Sequence, residues 1–123
     1  MSKVKNLALA LTIGLFAISC GDDDSSAPVV NIATPAASSS YTVADTLILT
    51  GTVTDDTELA NILIASDFGL SETVTTFDSD TSHALNYNIT FDPATTAGDY
   101  TLTVTATDEA GNVGTDDVQI TVQ

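Results

Sequence analysis

Carboxylates carry almost all the chemistry open to this sequence. It holds 17 Asp and Glu against two lysines, Lys3 and Lys5, with a single histidine, His83, and a single cysteine, Cys20. The acids recur in short groups: Asp55, Asp56 and Glu58; Asp78 and Asp80; Asp108 and Glu109 followed by Asn112. Hard oxygen donors gathered from several loops are what Ca²⁺ takes, six to eight of them at about 2.3–2.6 Å. Turns favour the same residue types, because Asp and Asn side chains bond their own backbone. The spacing alone therefore leaves a calcium site (Asp55, Asp56, Asp108, Glu109, Asn112) and ordinary turn chemistry both open. His83 stands beside Ser82 and Asp80, the residue types of a hydrolytic triad. A triad needs an exposed nucleophile, an ordered base and oxyanion donors converging in space, and neighbours along a chain do not supply that. With no lysine or arginine after Lys5 to stabilise an anionic transition state, the chain is read as non-catalytic.

The two lysines precede an uncharged run from Leu7 to Ile18, the pattern of a secretory signal peptide. About a dozen apolar residues fall short of the ~20 that cross roughly 30 Å of hydrocarbon as a helix, and Gly21-Asp22-Asp23-Asp24 follows at once. Small residues, Ala17 and Ser19, bracket a cleavage site just before Cys20. As the lone cysteine, Cys20 has no internal disulfide partner. The stretch Ala17-Ile18-Ser19-Cys20 resembles the lipobox of bacterial lipoproteins, with alanine where leucine is usual. That resemblance implies diacylglycerol and a palmitate-type acyl chain on Cys20, enough for stable anchoring. The acidic run after it resembles the export signal that sends Bacteroidota lipoproteins to the outer face of the outer membrane. Three segments are expected: signal peptide 1–19, lipidated cysteine and acidic tether 20–27, and one domain over 28–123.

All 17 acids lie beyond Cys20, so the mature chain has a charge near −17 and only His83 to offset it. Nucleic-acid binding needs Lys and Arg against phosphate and is excluded. Bare anionic headgroups are equally unfavourable. Membrane contact is expected through the lipid anchor, and partners among cations, cationic envelope proteins or neutral glycans.

The elements that would position the carboxylates are strands. Leu85, Tyr87, Ile89 and Phe91 alternate with Asn86, Asn88 and Thr90; Tyr100, Leu102, Val104 and Ala106 alternate with Thr101, Thr103, Thr105 and Thr107. Val118, Ile120 and Val122 repeat the period-two pattern of half-buried strands. With Val29 to Ile32, Thr46 to Thr54, Leu59 to Ala65 and Glu72 to Phe77, seven strands are expected, separated by Asp-, Gly- and Pro-containing turns. The expectation is an all-β, seven-stranded immunoglobulin-like Greek-key sandwich. Ala97-Gly98-Asp99-Tyr100 looks like a tyrosine corner. Thr50 to Asp56 and Gly98 to Asn112 resemble the second and sixth strands of bacterial immunoglobulin-like domains, without the cysteine pair and tryptophan of antibody domains. Asp55, Asp56 and Asp108 are similar in placement to half of a cadherin calcium site. In such a sandwich the loops after the second, fourth and sixth expected strands share one end with the chain's entry, where Asp22 to Asp24 are expected to arrive from the tether.

Two weaker patterns complete the reading. Asp45-Thr46-Leu47 resembles a Bacteroidota O-glycosylation acceptor, which implies sugar on Thr46. Small sandwich domains on surface lipoproteins also accompany glycan uptake, and Tyr41, Phe68 and Phe77 are the aromatics left to form a sugar platform. The expected function is an outer-membrane, surface-exposed binding, adhesion or structural module, with a calcium-stabilised adhesion domain and a glycan-binding lipoprotein as alternatives. The mature N-terminus tests the anchor: its mass should equal the chain from Cys20 plus diacylglycerol and an acyl chain, and an unmodified thiol there would remove the lipid.

Overall fold

Period-two alternation becomes two sheets whose apolar faces meet. The structure, a computed structural model, describes residues 24–123; the expected signal peptide and Cys20 lie outside them. Its strands are β1 (Val29–Thr34), β2 (Ser39–Tyr41), β3 (Thr46–Thr54), β4 (Leu59–Ser66), β5 (Ser71–Val74), β6 (Ser82–Thr90), β7 (Gly98–Asp108) and β8 (Val113–Val122), with no helix among the described residues. One sheet has the order β1-β3-β6 and the other β2-β8-β7-β4-β5. All pairings are antiparallel except β2 with β8.

Eight strands form where seven are expected. The additional one, β2, spans three residues, too few to show alternation, and exists through parallel pairing of Ser39–Tyr41 with Ile120–Val122 far along the chain. The strand expected from Glu72 to Phe77 is shorter and ends at Val74.

Leu47, Leu49, Val53, Leu85 and Ile89 from the three-stranded sheet face Ile62, Ile64, Leu102, Val104, Ile120 and Val122 from the other. Leu59 also points inward, although its odd spacing from Ile62 breaks the alternation. A register shift between Leu59 and Asn61, opposite Asp108 and Thr107, absorbs the extra residue. Phe91, just after β6, packs against Tyr41 and Phe68 at ring separations of 5.9 and 5.0 Å.

One side of the sandwich is tied shut. The Ile32 amide, at a register shift in β1, donates to Asp116 Oδ2 on β8 at 3.0 Å, joining the two sheets. Gly114 on β8 lies against the Pro28 carbonyl so closely that a Cβ there would occupy the oxygen's position. Gly114→Ala should therefore push Pro28 and the start of β1 off β8. A loss of about 1–3 kcal/mol in urea unfolding is expected, the usual range for overpacking; an unchanged midpoint would mean this approach is not fixed.

Candidate functional site

Inward alternation along β7 runs Leu102, Val104, Ala106 and then Asp108, so the last inward position of an apolar row is a carboxylate. Asp108 is 1% exposed, the sole charged residue among the fully buried ones. A carboxylate taken from water needs donors or a cation to replace its hydration. Asn112 provides two donors: its backbone amide to Asp108 Oδ1 at 2.8 Å and its side-chain amide to Oδ2 at 3.0 Å. The turn closes with Asp108 N on Asn112 O and Gly111 N on Asp108 O, with Gly111 at φ 91°, a conformation that favours glycine.

Two further carboxylates join it. Asp24, Asp55 and Asp108 bring one ligand oxygen each to within 4.8 Å of one another. Asn112 links the tether as well, since its side-chain amide also donates to the Asp24 carbonyl at 3.0 Å. The Thr57 hydroxyl lies 2.6 Å from Asp24 Oδ2 and 3.0 Å from Asp55 Oδ2. That hydroxyl has one proton, so it can serve only one of the two anions at a time. Asp55 Oδ1 is buried and has no partner. The cluster is thus three carboxylates held by neutral donors, with a buried oxygen left over. Asp108 uses two of its roughly four acceptor positions on Asn112 and keeps the remainder. Three carboxylates of this kind could hold a hard divalent cation, with water completing its shell.

Hydrogen bonds from Thr57 and then Ser26 hold the Asp24 carboxyl below its ordinary value of 3.8, against an opposing effect of burial. Of the other sequence-expected ligands, Asp56 is exposed, and Asn112 serves as donor and scaffold through its nitrogens. Glu109 is exposed and lines a separate cleft of about 440 Å³ with Glu58, Asp78 and Asp80. The loops after β3, β5 and β7 do share one end, through Asp55 N on Thr81 O, Leu59 N on Asp80 O and Glu109 N on Glu58 O. Their acids nonetheless divide into two groups, because β7's alternation turns Asp108 inward and leaves Glu109 outside. Asp24 comes from the tether run Asp22 to Asp24 expected at this end; it lies 31 residues from Asp55, and spacing alone does not single it out from that run.

The neighbours of His83 are Tyr87 and Asp78; the triad considered with Ser82 and Asp80 does not form. His83 Nε2 lies 2.9 Å from the Tyr87 hydroxyl, and Nδ1 lies 3.6 Å from Asp78 Oδ2, too far for a hydrogen bond. On β6, Ser82 faces outward while His83 faces in, so alternation itself separates them. Tyr41, Phe68 and Phe77 are all partly buried against the core, and none is an exposed platform. Thr46 is exposed at the start of β3.

Tyr100, at the start of β7, donates its hydroxyl to the Thr96 carbonyl at 2.7 Å, the tyrosine corner that pins the connection from the preceding strand. Sheets ordered β1-β3-β6 and β2-β8-β7-β4-β5, joined at such a corner, define an immunoglobulin-type sandwich. The chain belongs to the bacterial Ig domain family, whose model matches residues 28–104. Among solved structures, it is similar to the fibronectin(III)-like modules of Clostridium thermocellum CbhA, at TM-score 0.57 and 19% identity, covering 76% of this chain and 94% of that one. No curated protein matches the sequence. A domain of this kind fits a non-catalytic structural or binding module.

The pH behaviour of Asp24 follows from its depressed value. Its contribution to docking the tether is present above the unfolded carboxyl value and is lost as pH falls through the folded one. The Asp24 contacts should therefore persist down to pH 3.8 and release only below it. Carbon-13 titration of the Asp24 carboxyl checks this, and a midpoint at or above 3.8 would mean that the hydrogen bonds from Thr57 and Ser26 do not govern its charge.

Proposed function

We propose that this chain is a cell-envelope lipoprotein whose single immunoglobulin-like domain acts as a non-catalytic binding or adhesion module, stapled to its own tether by Ca²⁺. The observation that carries the reading is the convergence of Asp24, ahead of the first strand, with Asp55 and the buried Asp108. Two features add to it: the buried, unpartnered Asp55 Oδ1, and a described chain with no Lys or Arg to neutralise the three anions. Ca²⁺ supplies that missing charge and accepts the flexible carboxylate and water ligation the cluster offers.

The anchor gives the staple a purpose. Asp24 follows Cys20 by four residues, which span at most roughly 13–14 Å of extended chain. With Cys20 lipidated, a cation at Asp24 would hold the acidic end of the domain close to the membrane. The opposite end would then project outward. Without the cation, three mutually repelling carboxylates loosen the tether and the domain swings on it.

Calcium titration with thermal melting tests the staple. A cation that binds only the folded state, supplied at ten times its Kd, adds about 1.4 kcal/mol. For a domain of this size that raises Tm by about 5–10 °C. Asp24→Asn should abolish most of the rise while leaving the metal-free Tm nearly unchanged, because Asp24 lies outside the core. A Tm that stays put at millimolar Ca²⁺ would discard the metal.

A further inference from the structure

The sandwich is closed on one side and open on the other. Each sheet has two edges, and three of the four carry a feature that blocks further pairing. β1 has a register shift and gives its Ile32 amide to Asp116. β2 is three residues long, and β5 is four residues long and carries Glu72. β6 is different. It is nine residues long, pairs with β3 on one side through nine consecutive partners without a bulge, and contains no proline, lysine, aspartate or glutamate. Its other side is a sheet edge among the described residues: Ser79 exchanges backbone hydrogen bonds with Ser82 and Asp78 Oδ2 accepts from the Ala84 amide, while residues 86–90 have no strand beside them and present their backbone N–H and C=O groups. Long, flat, uncharged edges invite strand addition, and proteins that avoid it use the features β6 lacks.

Beside that edge runs a groove of about 410 Å³ between the two sheets. Ile64, Leu70, Tyr87 and Ile89 give it an apolar lining, and Glu72 stands in its wall. The volume lies within the roughly 300–1,000 Å³ of ligand sites and well above a packing void. A strand laid along β6 would direct alternate side chains into this groove and the others to solvent. The sign of the occupant's charge follows from the walls. Glu72 and Asp78 make the surroundings negative; burial first, and then the charges of Asp78 and Glu72, raise the Tyr87 hydroxyl above its ordinary value. A second copy of this domain brings no lysine or arginine, since none follows Lys5, and would set acid against acid.

We propose that the β6 edge is a strand-addition site for an extended, basic polypeptide segment, with alternate apolar residues filling the groove floored by Ile64, Leu70 and Ile89 and Lys or Arg meeting Glu72. The groove shares no residue with the Asp24–Asp55–Asp108 cluster, and the site does not depend on Ca²⁺.

The test uses the full mature chain, isotope-labelled, and a synthetic peptide that alternates valine and threonine with lysines at both ends. Saturable amide shifts confined to residues 86–90 and the groove residues are expected, and a glutamate-flanked peptide of the same core should bind more weakly. Glu72→Lys, at an exposed position that leaves the core intact, should weaken the lysine-flanked peptide by about two- to fivefold and strengthen the glutamate-flanked one, the scale of an exposed charge pair. Equal affinity for both peptides, or shifts away from β6, would overturn the proposal. So would a concentration-dependent dimer in sedimentation whose dilution shifts map to β6, since the edge would then belong to a second copy.

Discussion

A carboxylate buried at the end of the central strand β7 organises one end of this molecule. Asp108 occupies the inward position that alternation assigns to it after Leu102, Val104 and Ala106, so it cannot turn to solvent without breaking the pairing of β7 with β4 and β8. The described chain offers it no lysine or arginine. Asn112 closes the β7–β8 turn over both of its oxygens, and the same side chain reaches the Asp24 carbonyl. Burial of one anion therefore determines the turn, and the turn in turn positions the tether. The register shift near Leu59 lies opposite the same strand end, where it lets β4 turn two residues inward within four positions.

The same shortage of positive charge shapes the rest of the surface. Along the outer face of the three-stranded sheet, Thr46, Ile48, Thr52 and Thr54 on β3 stand with Ala84, Asn86, Asn88 and Thr90 on β6, all exposed and none charged. Most of the acids lie in loops and strand ends, where water can solvate them, with Asp116 and Asp117 in the middle of β8 as exceptions. A strongly negative protein thus keeps one neutral sheet face. Like charges repel least where there are none, so close approach of another chain is least costly there.

Much of the fold is legible in the residues. Seven of the eight strands follow from period-two alternation between Asp- and Gly-containing turns, and Tyr100 after Gly98-Asp99 marks the corner it forms with Thr96. β2 escapes that reading because Ser39–Tyr41 is a strand only through its pairing with β8, a long-range contact with no local pattern behind it. Within the site, Asp55 and Asp108 are visible as turn carboxylates. The inward direction of Asp108 was implicit in the alternation of β7. Which acid of the run Asp22 to Asp24 reaches the site, and the separation of Glu109 into a second cleft, were not, since both depend on where the loops meet in space.

By itself the sequence determined an all-β domain, a negative charge that no internal cation relieves, and a chemistry limited to carboxylates. Those properties follow from composition and local periodicity, which act through nearest neighbours and solvent. The tertiary structure decided which carboxylates converge, that His83 meets Tyr87 in place of Ser82, and that β6 is left as the unguarded edge. Each of these depends on sheet order and on which side of the sandwich the chain crosses to close. Those choices arise from packing two apolar faces together, and no local stretch of sequence encodes them.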